Sequence, residues 1–185
     1  MKGFTREETR FSLCGLNCRL CSMHLGGYCP GCGGGAGNQN CVIARCSLEH
    51  GGVPFCWRCP EYPCSRYDGF DDGDSFVPPR NRQQDIALAR EVGLKSYLAQ
   101  LEEKRAILDA LLAGYNDGRR KTLFNTAVYL LPLEDLRSVM ATLDSRPELS
   151  AQPIKERALA AVELLQEAAD RLCISLKLNK KPKKG

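Results

Sequence analysis

At 185 residues, 43% hydrophobic and 26% charged, the chain is long enough for one ordinary domain, or one plus a small module. Its formal net charge of +4 is too small to argue for nucleic acid by itself, and nothing in it approaches the roughly 18 apolar residues of a membrane span. The departure from ordinary composition is cysteine: there are eleven, all but Cys173 lying between Cys14 and Cys64.

The opening "MKGFTREETRFSLCG" carries charges where a secretory signal would have an apolar run of about 7–15 residues. A cytoplasmic location is therefore expected, and there thiols stay free or go to metals; a secreted disulfide knot is the alternative. Residues 14–64 are rich in Cys, Gly and Pro and show no sustained apolar periodicity. Leu16, Leu20, Ile43, Phe55, Trp57 and a few others are scattered there, too few to close a core without a staple.

The cysteine spacing suggests what the staple is. Cys14, Cys18, Cys21, Cys29, Cys32, Cys41, Cys46, Cys56, Cys59 and Cys64 include three C-x-x-C pairs: Cys18/Cys21, Cys29/Cys32 and Cys56/Cys59. Two intervening residues let a tight turn aim both sulfurs at one ion, about 2.3 Å from zinc. In "CPGCG" (29–33), Pro30 presets the turn and the glycines let backbone N–H groups approach a thiolate. These are zinc-knuckle sequences. A structural zinc site contributes about 10–16 kcal/mol to folding, comparable to the whole stability of an ordinary domain.

Ten thiols fill two four-thiolate sites with two left over, so about two zinc ions are expected. His24 and His50 could raise the ligand count to twelve, enough for three sites; as exposed loop residues they need no such role. Ligation by cysteine also suits an iron–sulfur cluster, and an all-thiolate site does not separate the two metals by sequence. The C-x3-C-x2-C of "CGLNCRLC" matches the spacing of radical enzymes, but the barrel they need does not follow. No catalytic residue is assigned. Catalytic zinc favours His and carboxylate ligands with an open position, and "GGGAGN" (33–38) lacks the Gly-Lys-Ser/Thr of a phosphate loop. That stretch reads as a flexible bridge, and Trp57 reads as packing over a metal site.

Residues 68–81, "DGFDDGDSFVPPRN", read as an acidic connector in which Pro78-Pro79 forbids helix. Helical spacing follows. One segment carries Ile86, Leu88, Ala89 and Val92 and stops at Gly93. A second carries Leu94, Leu98, Leu101, Leu108 and Leu112 and runs to Gly114. After the "NDG" turn (116–118), a third ends at Pro132, which can open a fourth. The last places Ile154, Ala158, Ala161, Val162, Leu165, Ala169 and Leu172 on one face, with Cys173 near it as a core residue. The fold class expected is a small, irregular, metal-stapled cysteine-rich module followed by an all-α helical domain. The divisions are 1–70 for the module, 71–81 for the connector, 82–175 for a helical bundle and 176–185 for a basic disordered tail.

The strings "CGLNCRLC", "YCPGC", "CVIARC" and "CWRCPEYPC" resemble a bacterial and archaeal family known as domain of unknown function 3795. The similarity covers roughly residues 12–68, and residues 80–101 look like its helical follow-on. The resemblance implies that all ten clustered cysteines belong to a metal site and that the two histidines do not; it supplies no activity. The expected role is a non-catalytic zinc-binding interaction protein with a protein partner. The alternative is an iron–sulfur redox or sensing protein. A nucleic-acid-binding module is the weaker alternative. Arg119, Arg120 and Lys121 and a tail with Lys177, Lys180, Lys181, Lys183 and Lys184 favour it; the acidic run Asp68–Asp74 counts against specific binding.

Overall fold

The computed structural model describes residues 3–35 and 41–179. Seven α-helices and several 3-10 turns make up the regular structure, and no strand occurs among the described residues. The helices are α1 (Ser22–Leu25), α2 (Val42–Glu49), α3 (Arg82–Glu91), α4 (Leu94–Gly114), α5 (Lys121–Leu130), α6 (Leu133–Asp144) and α7 (Ile154–Arg171). None is long and apolar enough to cross a membrane.

The chain forms two compact units: Met1–Leu101 with Asn179–Gly185, and Glu102–Leu178. The division falls inside α4, some thirty residues beyond the change of composition near residue 70. The packing of the first unit explains why. One apolar cluster holds Phe4, Leu13, Cys14, Ile43, Ala44 and Tyr67. A second holds Phe11, Phe55, Ile86, Ala89 and Tyr97. The cysteine-rich stretch thus borrows Phe4 and Phe11 from before it, and α3 and the start of α4 from after it. Its own apolar residues are few, as expected, but they close a core in this larger company. Trp57 stacks on Phe55 with ring centroids 4.1 Å apart and lies 5.8 Å from Phe11.

The acidic connector is packed rather than loose. Val77, Pro78 and Pro79 are buried. Pro79 begins a 3-10 turn, Pro79–Asn81, that runs into α3. Proline is tolerated at a first helical position, where no N–H is needed, so Pro78-Pro79 does not bar helical structure as expected. Arg82 follows, wholly buried. Its Nε donates to Asp71 at 2.7 Å and its guanidinium lies over the rings of Tyr67 and Phe70. Asp74 accepts from Arg80 at 3.2 Å and from the Asn179 backbone N–H at 2.7 Å. Two carboxylates of the acidic run are therefore neutralised within the unit.

In the second unit α5 and α6 pack on α7. The turn signals act as expected. Asn116 Oδ1 accepts from the N–H groups of Gly118 and Arg120, and Asp117 from Arg119, ahead of α5. Leu131, extended before Pro132, ends α5, and Pro132 and Pro153 precede α6 and α7. On α7, Ala158, Ala161, Leu165 and Ala169 are fully buried, while Ile154 and Leu172 at its ends are exposed. Cys173 lies beyond the helix with φ +55 and an exposed side chain, so it is not a core residue. In the tail, Leu176 is buried and Asn179 is hydrogen-bonded to Asp74. Lys180, Lys181, Lys183 and Lys184 lie outside the described residues, as do residues 36–40 of the glycine-rich bridge.

Candidate metal centre

The segment before Cys14 organises the cysteine loops. Arg6 Nε donates to the Pro54 carbonyl at 3.0 Å, and its Nη1 donates to the carbonyls of Phe11 and Cys32 at 3.1 and 3.3 Å. The Cys32 N–H reaches the Thr9 carbonyl, and the Cys56 N–H reaches that of Leu13. One arginine and an irregular backbone thus tie together loops that are far apart in sequence.

Two glycines make the approach possible. Gly15, in "CGLNC", has φ +95, and a Cβ there would lie 2.7 Å from both the Arg82 carbonyl oxygen and Ile86 Cδ1. Gly31, in "CPGC", has φ +89, and a Cβ would fall 2.4 Å from the Thr9 carbonyl oxygen. Beside Gly15 the buried Asn17 donates to Asp85 on α3 at 3.0 Å and accepts from the Tyr97 hydroxyl at 2.9 Å. This network fastens the Cys14–Cys18 turn to α3 and α4.

The ten clustered thiols lie along the irregular loops and short helices of the first unit. Cys14 belongs to the apolar cluster with Leu13 and Tyr67, and Cys32, Cys56 and Cys64 pack against it. The Leu16 N–H points at the Cys14 sulfur, the Cys32 N–H at that of Cys18, and the Leu13 N–H at that of Cys32. Cys41 lies near enough to Cys14 and Cys32 for their thiolates to repel. Cys46 lies on α2, Cys56 and Cys59 lie in the 3-10 turn Cys56–Arg58 and its cap, and Cys64 follows. These four line one cavity of about 20 Å³ with Leu13, Ile43, Val53, Tyr62 and Tyr67 among its walls, and with His50 and Arg66 also lining it. That is room for one ion or water-sized particle.

Burial and mutual repulsion hold several of these thiols in the neutral form. Burial pushes the Cys14 thiol up to about 11, against a hydrogen bond from Ser12 and with added repulsion from Cys32 and Cys41. Burial pushes Cys56 to about 12, opposed by a hydrogen bond from Tyr67 and reinforced by Cys14, Cys64 and Cys46. Cys18 and Cys32 are raised for the same first reason. Tyr67 is itself raised by burial and by Cys56. Buried thiols crowded together resist ionisation singly, and a divalent cation removes that resistance by supplying the charge they lack. Arg6 beside Cys32 and Arg66 beside Cys46 offset part of the negative charge that four thiolates around one such ion would leave. One guanidinium nitrogen of Arg6 is buried without a hydrogen-bond partner.

The thiol inventory fits zinc in number and type. Among the described residues, however, no three His, Cys, Asp or Glu side chains stand close enough together to make a ready ligand shell. No disulfide joins any of the eleven cysteines. Cys21 caps α1 and lies near enough to Cys18 to raise its pKa, and the Cys29 backbone is held by Met23 and His24. His24 gives its Nδ1 to the Cys29 carbonyl at 2.9 Å. His50 pairs with the Cys46 carbonyl at 2.8 Å and with Glu61 at 3.3 Å, contacts that raise its pKa. Arg6, Tyr67 and Arg82 have no sequence signal: each makes a contact with a residue more than ten positions away. Comparison with protein-family models, curated proteins and solved structures returns no match.

Proposed function

We propose that the first unit is a zinc-binding module whose metal is structural and whose role is to support contacts with another protein. The observation that carries this reading is the cavity of about 20 Å³ lined by Cys46, Cys56, Cys59 and Cys64. Four thiolates complete a tetrahedral zinc shell and leave no open position for a substrate. Leu13, Ile43 and Tyr67, which also line the cavity, belong to the apolar packing of the unit, so an ion there would stabilise the fold directly. The resemblance to domain of unknown function 3795 points the same way. Tyr28 and Val42, 76% and 58% exposed, offer apolar surface close in sequence to the ligands.

Elemental analysis of freshly purified protein tests the reading. Colourless protein with about two zinc ions per chain is expected from ten clustered thiols. Brown protein with absorbance near roughly 400 nm, and iron matched by sulfide, would replace zinc with an iron–sulfur cluster.

A further inference from the structure

We propose that Asp74 and Asn179 form a backbone latch that closes the C-terminal segment onto the acidic connector, and that the latch opens only when the first unit loosens. Both residues belong to that unit, although 105 positions separate them. The proposal goes beyond the zinc reading and does not depend on it. The Asn179 backbone N–H donates to Asp74 Oδ2 at 2.7 Å, and the Asp74 N–H donates to the Asn179 carbonyl at 3.0 Å. Residue 179 is thus bonded through both of its backbone groups to a single residue.

The chemistry of Asp74 gives the contact its strength. Its side chain is 1% exposed, and a carboxylate taken out of water is costly unless hydrogen bonds replace its hydration. Oδ1 is buried and accepts from no group among the described residues. Only Oδ2 is served, by Arg80 Nη1 at 3.2 Å and by the Asn179 N–H at 2.7 Å. The second bond is the shorter, within the range of charge-assisted hydrogen bonds. Releasing Asn179 would leave a buried carboxylate with the Arg80 contact alone.

The receptor is built into the first unit. Arg80 lies in the 3-10 turn Pro79–Asn81, which runs into α3. Val77 beside it is buried, and Arg82, wholly buried, ties the same stretch to Asp71 and to the Tyr67 carbonyl. Tyr67 in turn donates to the Cys14 carbonyl at 3.3 Å. Asp74 therefore keeps its position only while this packing stands. The latch also fixes where the basic tail leaves the unit, since Lys180 follows directly, one Cα–Cα step of about 3.8 Å from Asn179. Opening the latch frees that end of the chain.

Amide hydrogen exchange on the whole chain, read residue by residue by NMR, tests both parts. The Asp74 and Asn179 amides should exchange slowly. In urea below the unfolding transition their rates should rise with the same urea dependence as those of Ile86 and Ala89 in α3, the mark of one cooperative unit. Fast exchange of either latch amide, or exchange indifferent to urea as at a fraying end, overturns the latch. A urea dependence that follows Ala161 and Leu165 in α7 instead overturns its assignment to the first unit. Variants separate backbone from side chain. Asn179→Ala keeps both backbone groups and should leave Asp74 exchange unchanged. Asn179→Pro, which lacks the N–H, and a chain ending at Leu178 should each speed Asp74 exchange about tenfold or more, as expected for loss of a hydrogen bond to a charged group. Equal effects of Asn179→Ala and Asn179→Pro overturn the backbone latch.

Discussion

Gly15 shows how a single residue holds the candidate centre in place. It combines φ +95 with a 2.7 Å approach to the Arg82 carbonyl oxygen. Gly15→Ala meets both a disfavoured backbone region and a backbone atom that cannot swing away, so a loss of about 2 kcal/mol or more is expected in urea denaturation. A neutral result would mean that the Cys14–Cys18 turn does not sit against α3. The thiols make a second prediction, in which pH acts with opposite sign on the two forms. In metal-free protein, burial first, then thiol repulsion, raises Cys14 to about 11 and Cys56 to about 12. A raised folded pKa gives stability that is fully present below the unfolded value of about 8.5 and is lost as pH climbs through the folded values. Chelated protein should therefore lose stability in alkali, between about pH 8.5 and 12. Zinc-loaded protein needs its thiolates and should instead fail in acid, and zinc added at neutral pH should release protons. Parallel thermal melts across pH, with and without chelator, check the sign; identical profiles would count against ligation by these thiols.

Helix ends were largely legible, because proline, glycine and Asx residues act through their nearest neighbours. Gly93 with φ +82 after α3, the Asn116–Asp117 turn before α5, and Pro132 and Pro153 before α6 and α7 all lie where the sequence puts them. What each helix buries was less legible at its ends: the heptad-like face of α7 includes Ile154 and Leu172, yet tertiary packing reaches only the middle of the helix. The end of α7 carries its own prediction. The Ile174 N–H bonds the Ala169 carbonyl and the Cys173 N–H that of Asp170, a pattern that places Cys173 in the left-handed position usually given to glycine. The Cys173 side chain is exposed there. Cys173→Gly should relieve the left-handed strain and stabilise the protein by about 0.5–1 kcal/mol, the gain being trimmed by the greater freedom of glycine in the unfolded chain. A small rise in melting temperature with unchanged zinc content is the expected outcome, and destabilisation would show that the Cys173 side chain is engaged.

At the scale of the whole molecule, composition and packing divide the chain differently. The cysteine-rich composition stops near residue 70, but compaction depends on apolar area, and the first unit obtains that area from Phe4, Phe11, Ile86, Ala89 and Tyr97. The ten clustered thiols were legible as candidates, since residue type and short spacing are local properties. The packing of the loops that carry them was not, because Arg6, Asn17 and Tyr67 fasten those loops through contacts across tens of residues. This difference decides what metal removal should do. If composition set the cooperative unit, a strong chelator would loosen residues 14–64 and spare every later helix. Because Ile86, Ala89 and Tyr97 share a core with Phe11 and Phe55, α3 and the first turns of α4 should lose protection together with the cysteine loops. The second unit has its own buried residues, among them Leu108, Phe124, Leu136 and Leu165, and should keep its protection. Hydrogen exchange on chelated and zinc-loaded protein reads this directly, with loss of protection expected through about Leu101 and retained protection in α5, α6 and α7. Unchanged exchange in α3 would return the boundary to residue 70, and loss throughout α5–α7 would mean that the metal supports both units.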